Sequence, residues 1–203
     1  SGPLQAVSGL QFVKDRAFAP SSSRRLEPFI VEAPYRKLDL AAECESQQSA
    51  ELTHDEIRCL QLIDETFETL QSAGETVAGI LIEFVRAADG LALSPSYVSA
   101  LSSWAASHRL LLFDDSVLLG LRCGKPFASQ LYSVIGLQCH WIAVGKLYGF
   151  SGVIQNLNAD HYSAYRADES LLAGYITCAI SPLEVLRCRT VLRAIVQRRL
   201  CRN

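Results

Sequence analysis

Three short apolar runs in this sequence are each followed by residues that could do chemistry. Val77 to Ile82 leads into Glu83, Leu110 to Phe113 into Asp114 and Asp115, and Trp141 to Val144 into Gly145 and Lys146. In open α/β sheets, ligands gather at the carboxyl ends of the strands. A carboxylate and a lysine at neighbouring strand ends suit pyridoxal 5'-phosphate (PLP). The amine forms a Schiff base with the aldehyde, and the acid keeps the pyridine nitrogen protonated so that the ring accepts electrons. The same residue types also serve as a helix cap, a turn residue or a solvated surface charge, so spacing by itself leaves both readings open.

The elements that would position these residues are legible from periodicity. Thr53 with Glu56 three residues on forms a capping-box pattern, and Ile57, Leu60, Ile63, Phe67 and Leu70 follow at helical spacing up to Gly74. The run Val77–Ile82 is rich in branched residues and predicts a strand buried on both faces. Ser94-Pro95 starts a second helix that carries Tyr97, Val98, Leu101, Trp104 and Ala105 inward. A further strand is expected near Gly152-Val153-Ile154, and a last helix from Pro182 to Leu200. Residues 1–35 read as short strands and loops, and 36–52 as an irregular connecting segment. Strands alternating with helices predict a single α/β domain over 1–203: a three-layer, mostly parallel sheet with flanking helices. Ile80, Ile82, Leu111, Phe113, Ile142 and Val144 are expected on adjacent buried strands.

Composition narrows the partners. The 203 residues carry a net charge of -2 and are 49% hydrophobic, enough for one core. Charges of both signs are scattered, which excludes a basic nucleic-acid face. No apolar run approaches the roughly 18 residues of a spanning helix, and the first ten residues lack the basic start and apolar core of a signal peptide. The seven cysteines show no CxxC spacing, which predicts reduced thiols in a reducing compartment, cytoplasm or organelle matrix, and no metal site. There is no Met even at position one, which predicts a processed chain or a part of a longer product.

The words around these positions resemble a known family. Leu112-Phe113-Asp114-Asp115-Ser116-Val117, with Gly120-Leu121-Arg122-Cys123-Gly124-Lys125-Pro126-Phe127-Ala128, is similar to the stretch "lifDEVqtGfgRtGkpFA" of class III PLP-dependent aminotransferases. Ala78 to Glu83 resembles that family's "AavivEPvqg", Ala143-Val144-Gly145-Lys146 its "tlGKal", and Ile176-Thr177 with Ser181-Pro182-Leu183 its "hTfsGnPl". Order and spacing hold across most of the chain. The resemblance implies part of a PLP-transferase large domain. It implies that Asp114 pairs with the pyridine nitrogen, Lys146 is the Schiff-base lysine, Thr177 binds the cofactor phosphate and Glu83 lies near the substrate.

The sequence also departs from the pattern. Ser116-Val117 stands for Val-Gln, Phe84 for the proline after the glutamate, Cys139-His140 for a proline-aspartate, and Leu147-Tyr148-Gly149-Phe150 for a glycine-rich segment. The resemblance starts after the family's phosphate-binding loop and stops before its small domain. It therefore implies a homo- or hetero-oligomer in which another chain supplies the remaining parts. Two functions follow: a PLP-dependent aminotransferase of which this is one piece, passing an amino group to a keto acid or aldehyde, or a degenerate, non-catalytic relative with a structural or interaction role in a larger assembly.

Overall fold

A computed structural model describes residues 10–14, 29–40, 42, 51–149, 151–156 and 182–198. Among the described residues, six strands form one sheet in the order β2-β1-β3-β4-β5-β6. They are β1 (Leu10–Lys14), β2 (Phe29–Val31), β3 (Val77–Ile82), β4 (Leu111–Asp115), β5 (Trp141–Val144) and β6 (Gly152–Gln155). The centre is parallel, β3 to β4 and β4 to β5. Both sides are antiparallel: β1 pairs with β2 and β3, and β6 pairs with β5. The alternation of strand and helix over residues 54–144 imposes the parallel centre, because each return needs a crossover. β6 pairs antiparallel with β5, which it follows after a short connection.

Helix α1 (His54–Ser72) begins as its sequence dictates. The Thr53 side chain accepts from Glu56 N at 3.3 Å, and Glu56 Oε2 accepts from Thr53 N at 2.7 Å. It ends in a Schellman motif: Glu75 N donates to Leu70 O and Gly74 N to Gln71 O, with Gly74 left-handed at φ 74°. Ile63, Phe67 and Leu70 are buried as expected. Ile57 is not: it is 43% exposed, because it lies at the border of the buried stripe. Helix α2 (Pro95–Ser107) is capped by Ser94, whose side chain accepts from Tyr97 N at 3.1 Å. A 3-10 helix spans Ala128–Ile135, and α3 (Pro182–Arg198) lies against the turn that contains Lys146.

In register, one face of the central sheet carries Ile80, Ile82, Leu112, Asp114, Ile142 and Val144, every one of them buried. Against it pack Ile63, Phe67 and Leu70 of α1, Tyr97, Val98 and Leu101 of α2, and Ala128 and Tyr132 of the 3-10 helix, forming one core. Burial of such apolar area contributes about 25 cal/mol per Å². Polar contacts tie α1 to α2 at their border: Trp104 Nε1 donates to Asp64 Oδ1 at 2.8 Å, and Cys59 Sγ lies 3.1 Å from the Tyr97 hydroxyl. The opposite sheet face carries Leu81, Phe113, Trp141 and Ala143, which are only half-buried, and Val153, which is exposed. Phe113 lies on a central strand between β3 and β5, as expected. Its register places it on this second face, where its ring lies over Gly79: a Cβ there would stand 2.6 Å from the ring and 2.3 Å from Leu111 O.

Candidate functional site at the carboxyl edge of the sheet

The parallel strands β3, β4 and β5 bring Glu83, Asp114, Asp115 and Lys146 to one edge, as the sequence predicts, but they turn the side chains to different surroundings. Asp114 pairs in register with Ile82 on one side and Ile142 on the other, and is wholly buried. Both carboxyl oxygens are engaged. Ser116 Oγ donates to Oδ1 at 2.8 Å, and Ser129 N donates to Oδ2 at 3.0 Å. Burial pushes its pKa up, while the Ser129 and Ser116 donors pull the other way.

Asp115 points to the second face and is half-buried. Val117 N donates to its Oδ1 at 3.2 Å, and burial raises its pKa. Glu83, just past β3, accepts from Ala87 N at 3.0 Å through Oε1, and its own carbonyl accepts from the Tyr35 hydroxyl at 2.5 Å. Burial raises the Glu83 pKa, and the charge of Asp115 adds to the effect. The Tyr35 phenol is pushed well above its usual range by burial, then by Glu83. Arg86 lies 5.1 Å over the Tyr35 ring and binds Asp89 through two nitrogens, at 3.0 and 2.5 Å.

Lys146 opens a short turn, Lys146–Tyr148, in a left-handed conformation at φ 52°. Its side chain is exposed and makes no ion pair or hydrogen bond among the described residues. The turn itself is firmly seated. Tyr148 is buried, donates its hydroxyl to Pro126 O, stacks on Phe127 and packs on Gly120. Gly145 lies against Val117, to which a Cβ would come within 3.0 Å. Thr177 lies outside the described residues.

Sequence reasoning missed the residues that organise this edge. Ser116 entered only as a departure from the family's pattern, and Ser129 drew no notice. The Tyr132 hydroxyl shares its one hydrogen between Leu93 O at 2.7 Å and Phe84 O at 3.2 Å, joining the exit of β3 to the entry of α2. Glu56 is a buried node as well as a cap: Ser94 Oγ donates to its Oε1 at 2.5 Å. The signal available for Glu56 was its capping-box position; for the others there was none. Cys59, Cys123 and Cys139 are free thiols. A surface groove of about 450 Å³, lined by Phe67, Gln71, Glu75, Thr76, His108 and Leu110 among others, lies at the amino ends of β3 and β4, away from this edge.

As placed, Asp114 presents no exposed oxygen to a ring nitrogen: it is wholly buried in the core, and each oxygen already accepts one internal donor.

The fold is nonetheless similar to part of a solved transaminase. Among solved structures, the chain is similar to a mutant of Rv3290C from M. tuberculosis, with a TM-score of 0.55, 19% identity, and coverage of 84% of this chain and 37% of that one. It is also similar to a transaminase solved with SMBA, with a TM-score of 0.54, 21% identity, and coverage of 77% and 38%. A taurine:2-oxoglutarate aminotransferase from Bifidobacterium kashiwanohense, in complex with PLP and glutamate, aligns with a TM-score of 0.49, 19% identity, and coverage of 78% and 36%. The chain thus spans under two-fifths of the length of these structures. No family model matches it, and no curated protein does. No helix among the described residues is long and apolar enough to cross a membrane.

Proposed function

We propose that this chain is a non-catalytic, aminotransferase-like module that serves a structural or interaction role in a larger assembly. The observation that carries this reading is the state of Asp114, buried with both oxygens bonded to Ser116 and Ser129. The residue best placed to tune a pyridine ring is spent on the fold. Lys146, exposed and without an ion pair or hydrogen bond among the described residues, agrees with it. The likeness to a transaminase supports the lineage. The test is incubation of the protein, in whatever assembly it occupies, with excess PLP and borohydride, followed by peptide mapping. We expect no reduced adduct on Lys146. An adduct there, lost in Lys146→Ala, would overturn the reading.

A second reading is favoured by one specific feature: Asp114 and Lys146 close adjacent parallel strands at the same edge. That reading is PLP-dependent amino-group transfer, with contacts from Asp114, Lys146 and Thr177 to the cofactor and Glu83 near the substrate. It requires the packing over Asp114, which is wholly buried, to open before any ring can reach it.

A further inference from the structure

The 3-10 helix Ala128–Ile135 begins without a cap of its own, since Phe127 offers no side-chain acceptor. The first amides of a helix have no partner within it, and leaving them bare in a core is costly. Here both are met from a distance. Ala128 N donates to Ser116 Oγ at 2.8 Å, across 12 residues, and Ser129 N donates to Asp114 Oδ2 at 3.0 Å, across 15. Ser116 Oγ in turn donates its hydrogen to Asp114 Oδ1 at 2.8 Å. The hydroxyl therefore accepts from the helix and donates to the carboxyl, and the three groups close one hydrogen-bonded unit. Ala128, Ser129, Ser116 and Asp114 are all buried.

We propose that Asp114, with Ser116, is a remote N-terminal cap that latches this 3-10 helix onto strand β4. The helix carries Tyr132, whose hydroxyl holds the carbonyls of Phe84 and Leu93. The latch therefore fixes the exit of β3 and the entry of α2 together with its own segment, and Asp114 is a positioning residue for the whole carboxyl edge. Carboxylate-to-amide bonds of this kind are stronger than neutral ones in a low-dielectric interior. This inference rests on the reading that Asp114 faces no cofactor, yet it predicts something that reading does not.

The experiment is site-resolved amide hydrogen exchange, with thermal denaturation, on the parent protein, Asp114→Asn, Asp114→Ala and Ser116→Ala. Loss of a buried partner corresponds to about tenfold or more in local opening. We expect faster exchange at Ser129 in Asp114→Ala by at least about that factor. Asp114→Asn keeps a carbonyl acceptor and should retain part of the protection. Ser116→Ala should expose the Ala128 amide first. Should Asp114→Ala fail to fold, Asp114→Asn and Ser116→Ala decide the matter through the same two amides. Unchanged protection of Ala128 and Ser129 in the variants that fold would overturn the latch. The two proposals fail separately: a Lys146 adduct with PLP would sink the proposed function, whereas the exchange pattern at residues 128 and 129 decides the latch.

Discussion

Leu112 N donates to His140 Nδ1 at 3.0 Å, so the imidazole takes the place of a backbone carbonyl at the start of the β4–β5 ladder. The backbone completes the pair: His140 N donates to Leu112 O at 2.9 Å. The accepting ring nitrogen must be unprotonated, which puts the neutral ring's hydrogen on Nε2. This residue stands where the resembling family has a different pair of residues, and the sheet has made use of the change. His140→Phe keeps the bulk and removes the acceptor, leaving the Leu112 amide inside the sheet without a partner. The expected cost is about 1–3 kcal/mol, read as a lower midpoint in urea unfolding with an unchanged slope. An unchanged midpoint would show that the side chain contributes nothing there.

At the scale of elements, helix ends explain more than helix middles. Both α1 and α2 finish in Schellman motifs. Leu110 N donates to Ala105 O and Arg109 N to Ala106 O, matching the pair at Gly74 and Glu75. The left-handed position is glycine after α1 but Arg109 after α2, at φ 57°. A side chain in that conformation costs about 1 kcal/mol or more, which glycine avoids. Arg109→Gly is therefore expected to stabilise the protein by about 1 kcal/mol, and a rise in melting temperature checks it. The capping box of α1 was plain in the sequence because its partners are three residues apart. The second bond to Glu56, from Ser94 of the next helix 38 residues away, was not, because only folding brings the two helix starts together.

For the whole molecule, the carboxylates at the strand ends set a pH dependence opposite to the common one. Burial raises the pKa values of Asp114, Asp115 and Glu83 above their ordinary 3.8, 3.8 and 4.5. A raised folded-state pKa means that the native state binds protons more tightly than the unfolded chain. The resulting stability is present below the ordinary values and is lost as pH rises through the folded ones. Asp89 works in the other sense: Arg86 lowers its pKa, so its stabilisation is present above 3.8 and fades in acid. One buried and two half-buried carboxyls against the Arg86–Asp89 pair predict a melting temperature that falls as pH is raised from the ordinary carboxylate range toward neutrality. Asp114→Asn should flatten that slope. A melting temperature that climbs steadily over the same interval would contradict the assignment.

The amino-acid sequence by itself determined the local architecture. Periodicity, branched apolar runs and caps located the central strands and the first two helices, because these signals lie within one or two turns of chain. It also placed Glu83, Asp114, Asp115 and Lys146 at one sheet edge, since a crossover between strands makes them parallel. Only the tertiary structure decided what those residues face. Asp114 meets Ser129 across 15 residues, Leu112 meets His140 across 28, and Tyr132 meets Phe84 across 48. A buried polar atom takes its partner from whatever the fold brings within about 3 Å. That choice pairs Asp114, an acid with the spacing of a cofactor ligand, with one of the first amides of the neighbouring helix.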